Sequence, residues 1–353
     1  MIKEISKEKE AIKFGTRLSV LYIILGVIGF VLIMLPMIFY SSDKLDNIGI
    51  VGDTVGGILN PIFAVPATIL TFLAFWVQFK ANQEVQNQFK IQQFESQFYE
   101  MIRLHRANID EMDIASKIHG RKCFVRMFQE FKFIYLKLFE IYNSNDVYKN
   151  NLEKKDLCEI TYFVFFFGVG LNSDDVVIKL IKPSQERITK DLIDNLILIK
   201  QEWKESLYKT KYFEKYKREY NNLIFIRNEN GVNYEFKITY TPFDGHNTRL
   251  GHYYRNLYQT VSFVVNSTIM KDSNEQKKYL KLLRAQLSNH EQLLLYYNSL
   301  TNFGKGWIDN EYFTTYEMIK NIPLKLADFG LKPKEYLKDK KGFNDTIFEW
   351  DEL

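Results

Sequence analysis

Cysteine is nearly absent: 353 residues carry two, Cys123 and Cys158. They stand apart with no CxxC and no Cys/His spacing. That excludes a zinc ribbon or finger and fits two small core residues in a reducing cytosol. An excess of one charge is also lacking. With 47 Lys and Arg against 43 Asp and Glu the net charge is +4, too weak and too mixed to argue for nucleic acid. The chain holds no P-loop, no GxGxxG, no GxSxG and no HExxH. No cofactor and no metal is expected. Internal repeats, low-complexity tracts and clear interdomain linkers are missing too.

Apolar and aromatic residues are abundant and unevenly placed. Hydrophobic residues make up 46% and aromatics 16%, with 29 Phe and 22 Tyr. A dense apolar block fills residues 18–79. Its first run, LSVLYIILGVIGFVLIMLPMIFY at 18–40, has no charge and as a helix would reach roughly 35 Å, enough to cross a hydrocarbon core of about 30 Å. It is too long for a signal peptide and no small-x-small cleavage site follows. After the polar loop SSDKLDN, a second uncharged run, VGGILNPIFAVPATILTFLAFWVQF, covers 55–79. Asn60, Pro61 and Pro66 interrupt it, and membrane helices tolerate proline where neighbours satisfy the freed carbonyl. Asp53, at its start, reads as an N-cap at the outer interface rather than an acid on an ion path. Gly52 and Gly56 form a GxxxG that suits close helix contact, within the hairpin or between copies. Tyr40 and Trp76 read as interface anchors. Lys3, Lys7, Lys9, Lys13 and Arg17 precede the first run, only Lys44 lies between the runs, and Lys80 and Lys90 follow. The positive-inside rule then places both termini in the cytoplasm, with two spans and almost nothing outside.

The expected fold is mainly α: a cytosolic segment 1–17, a two-helix transmembrane hairpin over 18–79, a helical cytosolic domain over 80–330 with one β-hairpin, and a charged C-terminal tail over 331–353. The second membrane helix has no evident stop. Residues 78–112 lack proline and glycine, and Phe94, Phe98, Ile102, His105, Ile109 and Met112 recur on one helical face. His105 on this stripe reads as a buried, hydrogen-bonded core histidine. Residues 120–144 form another helix with Phe124, Phe128, Phe131, Tyr135, Leu138 and Ile141 inward, and 145–156 read as loop. LCEITYFVFFFGVG at 157–170 is too short to span and reads as a buried helix or strand. A charged helix over 187–220 turns Leu192, Ile193, Leu196, Ile199 and Trp203 inward. LIFIR and VNYEFKITY around NENG give a hairpin at 223–240. Helices follow near 249–268, 274–301 and 308–321, the last ended by Pro323. The tail from 333 is expected to pack loosely.

Chemistry concentrates in TPFDGHNTRLGHYYRNLYQT at 241–260, which holds Asp244, His246, Arg249, His252, Arg255 and Asn256. On a helix His252 meets Arg255 at i+3 and Asn256 at i+4, and with Gln259 they share a polar face opposite Leu250, Tyr254, Leu257, Val261 and Val264. That face is either plainly solvated or an acid/base pair suited to a phosphodiester. In RAQLSNHEQLLLYYN, Arg284 and His290 form Arg-x5-His, which resembles the loose pattern of helical ribonucleases of the HEPN class. Six residues turn a continuous helix by roughly 240°, so the two would not share a face. His290 falls in line with Leu283, Leu287, Leu294 and Tyr297 and reads as a core histidine.

Three segments carry a wider resemblance: QFESQFYEMIRLH (93–105), PFDGHNTRLGHYYRNLYQTV (242–261) and LRAQLSNHEQLLLYYNSL (283–300). With the membrane hairpin they resemble the phage abortive infection proteins that include AbiC. The resemblance implies anti-phage defence, in which the infected cell is arrested or killed before phage mature. Three mechanisms are open: an effector that perturbs the membrane; a membrane-tethered, metal-independent ribonuclease using His252, Arg255, Asn256 and Arg284; and a sensor or scaffold without enzymatic activity. The implied partners are the lipid bilayer, further copies of the chain, a phage-derived trigger or a defence-system partner, and, for the nuclease, RNA.

Overall fold

The computed structural model describes residues 2–39, 48–170, 173–212, 223–227, 231, 233–238, 240–270 and 272–349. Tyr40, the 41–47 loop with Lys44, and Asn228–Asn230 of the hairpin turn lie outside the described residues. The chain divides into two compact units, 1–93 and 94–353, and is mainly helical.

The first unit holds helix α1 (Ile2–Phe39) and the opening part of helix α2 (Ile48–Asp110). Both carry stretches long and apolar enough to cross a membrane, Lys13–Leu32 in α1 and one starting at Asn60 in α2. Glycines set how closely the two helices approach. A Cβ on Gly15 would lie 2.8 Å from Leu73 Cδ1, and one on Gly26 would lie 2.8 Å from Ile62 Cγ2, the pairing of an antiparallel hairpin. The GxxxG is not part of this contact, because Gly52, Gly56 and Gly57 meet nothing within 4 Å. Asp53 is not a cap either. The apolar residues Ile48–Val51 extend the helix before it, so exposed Asp53 lies inside α2. Pro61 and Pro66 sit within the helix without ending it. Asn60 and Pro61 are exposed, Pro66 is buried, and Trp76 is exposed with Lys80 Nζ 5.5 Å from its ring centre.

The second unit begins on the α2 stripe. Phe94, Phe98, Ile102, His105, Ile109 and Met112 are all buried, as the spacing requires. A pair of two-residue strands, β1 (Asp113–Ile114) and β2 (Ile118–His119), leads into α3 (Lys122–Ser144). Here the core stripe widens until both faces are covered. Phe124, Phe128, Phe131 and Tyr135 are buried, and so are Phe133, Glu130 and Lys132. The expected loop 145–156 instead holds α4 (Asp146–Asn151), because the Asn145 side chain caps it by accepting the Val147 N–H. The apolar run is a helix, α5 (Lys154–Phe167), opened by a Glu153/Asp156 capping box and ended by Gly168. Helices α6 (Ser173–Leu180) and α7 (Glu186–Tyr212) follow, with Leu192, Ile193, Leu196 and Trp203 inward. The predicted hairpin forms as antiparallel β3 (Leu223–Arg227) and β4 (Asn233–Lys237).

Helix α8 (Asn247–Val265) buries Leu250, Tyr254, Leu257, Val261 and Val264. The long helix expected at 274–301 is two, α9 (Ser273–Arg284) and α10 (Asn289–Ser299). Ser288 and Glu291 form a reciprocal capping box that starts the second. Only α11 (Gly306–Asp309) is helical in the stretch expected at 308–321, and Glu311 and Glu317 there take positive φ, which ends helical propagation. The tail does not pack loosely. α12 (Pro333–Leu337) buries Leu337, and Ile347 and Phe348 beyond it are buried too, so apolar residues among the charges hold it down. Packing around α3, against α5 and α10, is aromatic: Phe131 and Tyr297 ring centres lie 4.6 Å apart, and Tyr297 stacks on Phe329 at 5.1 Å.

Candidate functional site

The site is built where the segment between β4 and α8 crosses the C-terminal end of α5. Gly168 and Gly245 meet there backbone to backbone. A Cβ on Gly168 would lie 2.8 Å from the Asp244 carbonyl carbon, and one on Gly245 would lie 2.6 Å from that of Phe167. Both have positive φ, which a side chain would also strain. The Val169 N–H donates to Phe243 O (2.9 Å) and the His246 N–H to Phe166 O (2.8 Å). Lys200, from α7, staples the crossing: its ammonium donates to Val169 O (2.8 Å) and Phe243 O (3.0 Å) and pairs with Asp244 Oδ1 (2.8 Å). Between these ties Phe243 is held at φ +66°, although it is not glycine, with its side chain fully buried. Such strain persists only where surroundings over-determine it, and it concentrates at functional sites.

Beneath the crossing lies the Glu130 carboxylate, buried on α3. It accepts the Phe243 N–H (2.8 Å), the Tyr240 hydroxyl (2.6 Å) and His246 Nε2 (2.8 Å). Burial alone would raise its pKa. The His246 ring and these donors outweigh burial and hold it below the ordinary carboxylate value. An ionised Glu130 only accepts, so the proton of this bond belongs to Nε2. In the neutral ring the lone pair then sits on Nδ1, 3.4 Å from Arg249 Nη1. Arg249, in the first turn of α8, is anchored by carbonyls: Nε donates to Asp113 O, and Nη1 to Gly245 O at 3.4 Å. The Asp113 turn is strained as well, with Ala115 at φ +55° and Ser116 at +54°.

These groups line a cleft of about 350 Å³, with Ile114 and Ala115 as its apolar wall and Thr241 and Asp244 beside Arg249 and His246. The chemistry present is a carboxylate-oriented imidazole next to a fixed guanidinium. Such a set can accept or donate one proton and hold an anion.

Of the residues singled out at 241–260, the structure gathers Asp244, His246 and Arg249 at this cleft. His252 and Arg255 lie on the exposed face of α8 and make no hydrogen bond or ion pair among the described residues. Asn256 is half-buried, and its Oδ1 has no partner there. Arg284 closes α9 and donates to Glu317 O (2.9 Å) and its carboxylate (3.3 Å). The break before Ser288 puts His290 on another helix. His290 meets Phe128 edge-on at 5.7 Å, and burial lowers its pKa, as for a histidine facing the core. His105 is fully buried as expected, but neither ring nitrogen has a hydrogen-bond partner among the described residues. The ring packs on Tyr253 instead, with centres 4.9 Å apart.

Glu130, Tyr240 and Lys200 were not singled out from the sequence. A signal for Glu130 exists in FQEFKF, where a lone carboxylate interrupts an aromatic run on both sides. Its neighbour Lys132 behaves likewise, buried with its ammonium 2.8 Å from Asp328 and 3.7 Å from the Tyr234 ring centre.

Residues 245–326 match the family model described as "Putative phage abortive infection protein". The resemblance read from the sequence is supported over that segment, which runs from Gly245 through α8, α9 and α10 and includes His246 and Arg249. No curated protein and no solved structure matches the chain.

Proposed function

We propose that this chain is a membrane-anchored effector of phage abortive infection, whose cytosolic domain responds to infection and whose membrane helices carry out the damage. The family match supports the defence role. The observation that carries the membrane role is the surface of the first unit. Within α1, Val20, Leu21, Ile23, Ile24, Leu25, Val27 and Ile28 are all exposed, and on α2 so are Phe72, Phe75 and Phe79. Soluble proteins do not leave apolar surface of this extent to water, and lipid or another copy must cover it. The lysines and arginines flanking the spans favour cytoplasmic termini. Helix α2 has no break between Ile48 and Asp110, which supports passing a change in the cytosolic domain to the hairpin. One hairpin cannot enclose a pore, so pore formation requires oligomers.

The tethered ribonuclease is the second reading. What favours it is the Glu130–His246 pair beside Arg249, together with the exposed His252 and Arg255. One experiment separates the two: a membrane-potential dye and total RNA integrity, followed together in infected cells expressing the protein. Depolarisation with intact RNA is expected; RNA cleavage in polarised cells would reverse the assignment. A fragment lacking residues 1–77 that still protected cells would also refute the membrane role.

A further inference from the structure

We propose that the Glu130–His246–Arg249 cleft binds a small phosphorylated ligand of about mononucleotide size, its phosphate held between the Arg249 guanidinium and His246 Nδ1. The inference goes beyond the membrane reading and stands apart from it, since the cleft can bind while depolarisation fails, and the reverse.

Arg249 is the first argument. It is half-buried at the cleft, yet it pairs with no carboxylate among the described residues; its acceptors are the carbonyls of Asp113 and Gly245 and the His246 ring. A cation partly withdrawn from water is normally paired. This one also stands in the first turn of a 19-residue helix, where the macrodipole already presents positive potential. Its Nε and Nη1 are spent on anchoring, which fixes the plane of the fork, while Nη2 donates to nothing among the described residues. A fixed guanidinium with free N–H groups is suited to phosphate.

Glu130 supplies the second. Its charge would repel an anion if it faced the cleft bare, but three donors already occupy its oxygens. Behind His246 it fixes the tautomer: with the proton on Nε2, the Nδ1 lone pair can accept the hydroxyl of a monoprotonated phosphate whose other oxygens take Arg249 Nη2. Asp244, the other carboxylate at the cleft, is drawn to Lys200. A volume of about 350 Å³ lies at the low end for small-molecule sites and suits one nucleotide, with Ile114 and Ala115 offering apolar contact to the rest of the ligand.

The test is calorimetric titration of the full chain in detergent with inorganic phosphate, adenosine monophosphate and adenosine. Phosphate and the monophosphate are expected to compete for one site, and adenosine to bind at least tenfold more weakly than its monophosphate. Arg249→Gln should lose binding, and Arg249→Lys should weaken it about tenfold because the planar fork is gone. Lys278→Gln, on the exposed face of α9, should leave it unchanged. Asp244→Asn leaves the Lys200 bonds to Val169 O and Phe243 O in place, so it serves where the Arg249 variants do not fold, and it should tighten phosphate several-fold by removing a nearby negative charge. The proposal is overturned if phosphate does not bind, if Asp244→Asn leaves its affinity unchanged, if a folded Arg249→Gln binds like wild type, or if Lys278→Gln loses binding equally.

Discussion

Replacing His105 with leucine should remove an acid sensitivity from the second unit. Burial pushes the His105 pKa down from 6.5 to about 4, and the nearby Arg121 charge adds to the effect. The folded state therefore keeps the ring neutral while the unfolded chain takes up a proton. Between pH 6.5 and 4 the unfolded state binds more protons, so stability rises with pH across that window and is complete above it. At pH 5 the linkage costs about 2 kcal/mol relative to pH 7. For a unit of 260 residues that is a drop in thermal midpoint of roughly 4–8 °C. The assay is thermal unfolding of the full chain in detergent at pH 7.5 and 5.0, wild type beside His105→Leu. Other groups titrate in both proteins and cancel in the difference. Leucine also removes two orphaned ring nitrogens, so at pH 7.5 the variant should be at least as stable as wild type. Equal acid losses in the two proteins would refute the reasoning, because they would mean the ring is hydrated or paired in the folded state.

Gly245→Ala should prevent the crossing over α5 from forming. The added methyl would lie 2.6 Å from backbone atoms that cannot move aside, at a φ of +82°, and a loss of 3 kcal/mol or more is expected, on the order of the largest single-residue effects. Thermal unfolding checks it, and a wild-type midpoint would contradict the backbone contact. In the hairpin, Gly26→Ile should force α1 away from α2 while Gly29→Ile, facing open space, should not. Cross-linking yield between cysteines placed on the two helices reads the difference, and equal yields would show that Gly26 is not the contact.

Much of the fold was legible because its signals are local. The stripe from Phe94 to Met112 follows from helical period alone, and the strands at 223–237 from alternation around a turn. The break between α9 and α10 has a local signal too, since Ser288-Asn289-His290-Glu291 is a capping box written in the chain. The cleft was legible only in part. His246 and Arg249 stand in one short polar motif, but the motif does not say which of its histidines turns inward. His252, with Arg255 and Asn256 within one helical turn, points to solvent.

By itself the sequence determined the two apolar spans, the helical class and the inward faces, because each depends on a periodicity that a segment carries alone. Only the tertiary structure decided the site. Glu130 and His246 are separated by 116 residues, and what joins them is the approach of Gly168 to Gly245, a contact between two backbones with no side-chain pattern to announce it. Charge pairing in a buried place is a property of what surrounds a residue, and for Glu130, His246 and Arg249 those surroundings come from α3, α5, α8 and the Asp113 turn together.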